Sequence, residues 1–163
     1  MRKFHFIILV FISLITVSCQ FSKGVKKDLN TGLSASYNEF AVDDIYLADE
    51  KQSRLNDNKI SMGSRIYIMA TGVGYYKEKN GQAFPGCRII LTDKTKKEIL
   101  NLPDAFAEMT DGTPAQEAKV LRAQLNTGHP MAVGETYHLN VRFFDKNNQE
   151  AEIIANVDLV MKE

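Results

Sequence analysis

The feature that most constrains this chain is a double alternation near its end. In ETYHLNVRFFD, Tyr137, Leu139, Val141 and Phe143 alternate with His138, Asn140, Arg142 and Phe144. After the polar DKNNQ, the run AEIIANVDLVM alternates again. Ala151, Ile153, Ala155, Val157, Leu159 and Met161 take one face, and Glu152, Asn156 and Asp158 take the other. A period of two sends successive side chains to opposite faces of an extended strand, so each run buries one face. Asp and Asn tolerate left-handed backbone, which suits DKNNQ to a turn. The two runs therefore predict a long antiparallel hairpin.

Upstream segments extend the same pattern. ISMGSRIYIMATGV sets Ile66, Ile68 and Ala70 against Arg65, Tyr67 and Met69. Both sets are partly apolar, which fits a strand covered on two sides. CRIILTD is a shorter strand and TDKTKKE a polar turn. EILNLPDAF continues as strand until Pro103, which has no N–H to offer a ladder. FAVDDIYLAD is the expected first strand. One short helix is expected in TPAQEAK, with Thr113 at the N-cap, Pro114 at the first helical position and Gln116 returning to the cap. VLRAQLN fits strand or helix; the alternation of Leu121, Ala123 and Leu125 selects strand.

About six to eight strands at short spacing, without repeated helices of about 10–15 residues, exclude a parallel α/β fold and leave a sandwich or small barrel. The sandwich is favoured. Apolar content of 44% and charged content of 25% are those of an ordinary globular domain, and one domain is the default at this length. The chain is therefore assigned to the all-β class: an antiparallel β-sandwich over residues 37–163 with one short helix. The ending also resembles the last hairpin of bacterial immunoglobulin-like domains, which often run G-x-x-Y-x-L-x-V-x-x-x-D before a turn and a final strand. Gly134, Tyr137, Leu139, Val141 and Asp145 match. The resemblance covers only the last thirty or so residues and implies shape. The core tryptophan and cysteine pair of antibody-type domains are missing.

The front end concerns location. Arg2 and Lys3 precede an apolar run from Phe4 to Val17, broken only by His5, Ser13 and Thr16. A basic start, about 7–15 apolar residues and then small residues is the layout of a secretory signal. A spanning helix needs about 20 apolar residues to cross about 30 Å of hydrocarbon, which disfavours an uncleaved anchor. Thr16-Val17-Ser18-Cys19 resembles the lipobox of bacterial lipoproteins, although that family prefers an aliphatic where Thr16 stands. The resemblance implies a signal peptide over residues 1–18, removed by cleavage, and a lipid joined to Cys19. Residues 19–36 are polar, rich in Ser, Gly and Lys, and read as a flexible tether. Lys23, Lys26 and Lys27 fit either a solvated tether or attraction to an anionic surface. Gln20 is not the aspartate associated with inner-membrane retention in enteric bacteria, so the expected place is the outer membrane, facing the periplasm.

Chemistry is scarce in the remainder. Loss of Arg2 and Lys3 with the leader leaves 18 basic against 20 acidic side chains, which offers nucleic acid no basic face. With Cys19 acylated, Cys87 stands alone and reads as a structural thiol. His138 lies on the polar face of its strand, and His129 sits in the loop NTGHPMAVG near Met131. Neither joins a ligand set, and no metal or cofactor is expected. Asp43, Asp44, Asp49 and Glu50, and again Asp104, Glu108 and Asp111, lack the spacing of a calcium loop. No nucleophile elbow, zinc-protease or phosphate-loop motif occurs, so no catalytic residue is assigned. The binding candidate is GVGYYKEKNGQAFPG. There Tyr75, Tyr76 and Phe84 flank a polar turn, where rings could anchor a partner or stack on a sugar; alternatively Tyr75 and Phe84 enter the core. Three functions remain: a non-enzymatic module binding an envelope partner, a carbohydrate- or surface-polymer-binding lipoprotein, and an enzyme with an unrecognised site.

Overall fold

The computed structural model describes residues 22–163; the signal peptide expected over residues 1–18 and the expected lipid site, Cys19, fall outside this range. Twelve strands follow in order among the described residues: β1 (Lys23–Lys27), β2 (Ser34–Asn38), β3 (Asp44–Ala48), β4 (Lys59–Ser61), β5 (Arg65–Thr71), β6 (Gln82–Ala83), β7 (Pro85–Asp93), β8 (Glu98–Leu102), β9 (Thr113–Pro114), β10 (Val120–Asn126), β11 (Thr136–Asp145) and β12 (Asn148–Lys162). The larger sheet runs β1-β2-β12-β11-β7-β8, with β4 added to β12; a second sheet runs β10-β5-β3, and β6 pairs β9. The molecule is the expected all-β sandwich. Pairing is antiparallel throughout except between β4 and β12, which run parallel.

The terminal hairpin has the expected faces. β11 and β12 pair from Thr136 opposite Val160 to Phe144 opposite Glu152. Tyr137, Leu139, Val141 and Phe143 are buried, as are Ala151, Ile153, Ala155, Val157, Leu159 and Met161. They meet Ile66, Ile68 and Ala70 of β5 and Leu121, Ala123 and Leu125 of β10 in one apolar core. Met69 is also buried, so β5 is covered on both faces, as its two-sided apolar pattern requires.

The structure differs from the sequence reading in two places. First, the described part of the stretch expected as a tether, residues 22–36, is folded. β1 pairs β2, and β2 pairs β12 from Asn38 opposite Glu152 to Ser34 opposite Asn156, so FAVDDIYLAD supplies the third strand and not the first. The turn between them is held by Asp28, whose Oδ1 accepts from the N–H groups of Asn30 (2.9 Å) and Thr31 (3.4 Å). Leu33 and Ala35 are buried. Gly24 is a packing position: the Tyr37 ring occupies the space a Cβ would need. With only one buried face on β2 and none on the edge strand β1, the alternation was too thin to outweigh the polar composition.

Second, the helix is a single 3-10 turn over Glu117–Lys119, with Gln116 in the cap position and no side-chain cap. Thr113 and Pro114 are drawn instead into a strand pair with Gln82 and Ala83. The Thr113 hydroxyl hydrogen-bonds the Glu117 carboxylate at 3.2 Å. Five residues between β9 and β10 leave no room for a helix that could bury a face; in the turn itself only Ala118 is buried.

A candidate binding cleft around Tyr75

The segment after β5 is fixed at almost every residue. Gly72 has φ +64° and packs so tightly on the Asp43 side chain that a Cβ would overlap it; both facts select glycine. Gly74 exchanges two backbone hydrogen bonds with Ala41, each 3.1 Å. Tyr76 is buried, its ring edge-on to Phe40 with centroids 5.0 Å apart and an interplanar angle of 62°. Its hydroxyl donates to the carbonyl of Ala118 at 3.0 Å. Burial, and then the charge of Asp145, raise the Tyr76 phenol well above its ordinary pKa, so it remains a neutral donor. The Lys77 N–H donates to Asp145 Oδ2 at 2.6 Å, and the Asn147 N–H to Oδ1 at 2.9 Å.

Between the clamps at Gly74 and Tyr76 stands Tyr75, with φ +68°. A left-handed backbone under a bulky side chain costs about 1–3 kcal/mol and persists only where the surroundings over-determine it. Here they do, and the result is a ring pointing outward, 53% exposed. It borders an open cleft of about 460 Å³ lined by Val73, Gly74, Tyr75, Tyr76, Glu78, Ala115, Gln116 and Lys119. The cleft thus offers an aromatic face, an amide, a carboxylate and an ammonium group within one space.

The three aromatic residues singled out in the sequence do not form a single platform. Tyr75 is presented, Tyr76 anchors it from below, and Phe84 is half-buried at a separate position, packed toward Gly112. The alternative in which Tyr75 and Phe84 enter the core is also inverted, since Tyr76 takes that place. A left-handed residue resets the parity of the chain, so alternation counted through Tyr75 misassigns its neighbour. Gln116 and Lys119, which line the same cleft but lie some forty residues on in sequence, carried no signal as cleft residues.

The other candidate groups have structural partners. Cys87 is fully buried. Burial, and then the nearby Asp104 charge, push its thiol up to about 12, so it is an inert packing group. Asp104 Oδ1 accepts from the N–H groups of Cys87 (2.9 Å) and Phe106 (2.8 Å), and Lys146 Nζ lies 2.9 Å from Oδ2. His138 Nδ1 lies 2.5 Å from Asp158 on the outer face of the large sheet, the polar face the alternation assigned to it. Asp28 and Asp44 share Arg54. Among the described residues no three His, Cys, Asp or Glu side chains are grouped as metal ligands.

Asp104 yields a pH prediction. Burial raises its carboxyl pKa, but the hydrogen bonds from Cys87, Lys146 and Phe106 and the Lys146 charge outweigh this and lower it overall. A depressed folded-state pKa stabilises the protein above the unfolded value of about 3.9 and ceases to do so as pH falls through the folded value. Asp104→Asn should therefore be less stable than wild type at neutral pH, and the gap in urea midpoint should narrow below about pH 4. A gap that is constant from neutral to acid pH would show that the ionised form contributes nothing.

No protein-family model matches this chain, and no curated protein matches it either. Among solved structures, the C-terminal domain of wzt aligns over 89% of this chain and 80% of its own, at 8% identity and a TM-score of 0.46. The soluble domain of PmoD from Methylocystis sp. ATCC 49242 (Rockwell) aligns over 84% of this chain and 95% of its own, at 10% identity and a TM-score of 0.38. Likeness at this level concerns the chain path alone.

Proposed function

We propose that this protein is a non-enzymatic binding module of the bacterial cell envelope, held by lipid on Cys19 at the outer membrane facing the periplasm, and that it engages an envelope partner through the Tyr75 cleft. The observation that carries the binding reading is the outward-held Tyr75. A backbone cost is accepted to display a large amphipathic ring, and Tyr is enriched where interfaces concentrate their energy. The lipid reading rests on the small residue before Cys19 and on the preceding apolar run. One acyl chain alone binds a membrane marginally, whereas two or three hold stably. A second reading, a carbohydrate or surface polymer as ligand, is favoured by Glu78, Gln116 and Lys119 around the ring. These groups match a hydroxyl-rich surface better than an apolar one.

The test uses intact envelopes. A photo-reactive group at position 75 should cross-link one discrete species, and Tyr75→Ala should lose most of its capture by co-purification. A protein band favours the first reading, and a protease-resistant, periodate-sensitive band the second. Capture unchanged in Tyr75→Ala would remove the cleft from the function. Cleavage of an ester or glycoside panel by the pure protein, abolished by a cleft substitution, would overturn the non-enzymatic reading. For location, Cys19→Ala should move the protein from the membrane pellet to the soluble fraction.

A further inference from the structure

The folding of β1 changes how the domain sits at its membrane. Ser22 is already fixed, its carbonyl accepting from the Glu39 N–H at 2.6 Å. Only Gln20 and Phe21 lie between it and Cys19. Three Cα steps of 3.8 Å allow a reach of about 11 Å. An 18-residue tether would have allowed about 60 Å. The headgroup layer on each side of a bilayer is about 5–8 Å thick. A lipid on Cys19 would therefore leave almost no slack once the headgroups are crossed, and the β1 end of the sandwich must rest on the surface.

The residues found there suit that position. β1 is the edge strand of the large sheet. Val25 is 66% exposed and Leu29 is 92% exposed, more than any other large apolar side chain described. Lys23 and Lys27 flank Val25 at alternate positions of the strand and are exposed. Lys26 turns the other way and donates to the carbonyl of Asp43 at 2.6 Å. The adjacent carboxylate, Asp28, is held by Arg54 at 3.1 Å, so it does not oppose an anionic surface in isolation. Apolar side chains between lysines, beside a lipid-bearing residue, form the composition of an interfacial contact.

We propose that residues 23–29 are a membrane contact, with Val25 and Leu29 entering the headgroup region and Lys23 and Lys27 meeting the phosphates of anionic lipid. The proposal rests on the lipid-anchor reading. It goes beyond it, because the lipid then fixes the orientation of the domain as well as its location.

The test uses full-length lipidated protein in vesicles of phosphatidylcholine, with or without phosphatidylglycerol. Nitroxide labels are placed through Val25→Cys, Leu29→Cys and Lys97→Cys, the last in the exposed turn between β7 and β8 at the opposite edge of the large sheet. Labels at 25 and 29 should be several-fold less accessible to a water-soluble nickel chelate than the label at 97, and more accessible to oxygen. Lys23→Glu with Lys27→Glu should reduce that protection while the protein still pellets with the vesicles. Equal nickel access at 25, 29 and 97 in a protein that pellets would overturn the contact and leave the anchor standing. A wild-type protein that washes from the vesicles like Cys19→Ala would overturn both. Protection that rises with protein concentration and is indifferent to phosphatidylglycerol would assign the strand edge to a second copy of the chain, and so overturn the membrane contact.

Discussion

Phe143→Ala is expected to lower the unfolding free energy by about 3–5 kcal/mol, the range for removing a large aromatic from a packed core. Phe143 has no exposed surface. It stands on β11 opposite Ile153 of β12 and Cys87 of β7, so three strands of the large sheet close around it. Phe106, from the segment after β8, stacks near it with centroids 6.4 Å apart and an interplanar angle of 24°. Neighbours fixed in ladders on both sides have little freedom to collapse into the space left behind, which places the loss toward the upper end. Against a total stability of about 5–15 kcal/mol for a typical domain, such a loss removes a large share of the stability, and nearly all of it at the low end of that range. Urea unfolding followed by circular dichroism measures the difference. Phe143→Leu, which keeps most of the volume, should lose clearly less. Equal losses for Ala and Leu would mean that the ring's shape, and not the cavity, sets the cost.

Asp145→Ala should follow closely, at about 2–4 kcal/mol, because a buried donor left without a partner costs about 1–3 kcal/mol and two part-buried ones, each at the lower part of that range, are involved. The carboxylate is 1% exposed and receives the N–H groups of Lys77 and Asn147. Its removal acts on the binding cleft as well as on stability. Lys77 is the clamp on the far side of Tyr76, so its release should relax the left-handed backbone at Tyr75. Hydrogen exchange at the Lys77 amide should then speed up by at least as much as that at amides in β5. A stability loss below about 0.5 kcal/mol, the scatter of neutral surface substitutions, would show that water replaces the carboxylate without penalty.

Legibility in the sequence followed burial on one face. β11, β12 and β10 each place one set of alternate residues in the core and the other in water, so their faces could be assigned residue by residue. β5 showed its two-sided burial through Met69 opposite Ile68. The 85–93 strand was visible through its apolar run. What stayed hidden has identifiable causes. β1 is an edge strand whose only apolar side chain, Val25, points to solvent, so nothing in KGVKK distinguishes it from a linker. β4 has three residues and is held by a parallel pairing across the sequence. The capping pattern at Thr113 is a local signal that lost to a two-residue pairing with β6, which no local window contains. The cleft was half visible: the YY pair marked the place. Which tyrosine would face outward depended on Ala41, Ala118 and Asp145, each contributed by a distant segment.

The position of β12 bears on when this protein can fold. This last strand is bonded to β11, β2 and β4, and its side chains and carbonyls reach partners more than a hundred residues earlier, as in the Asn38 amide donating to the carbonyl of Glu150 at 2.8 Å. Until β12 has been made, β2 has only the edge strand β1 beside it and β4 has no strand partner. Contacts this distant also form slowly, since the loops they close must be ordered before any pairing offsets the cost. The large sheet therefore stays open beside β2 and β4 until β12 arrives, and a chain halted before that strand keeps both edges unpaired.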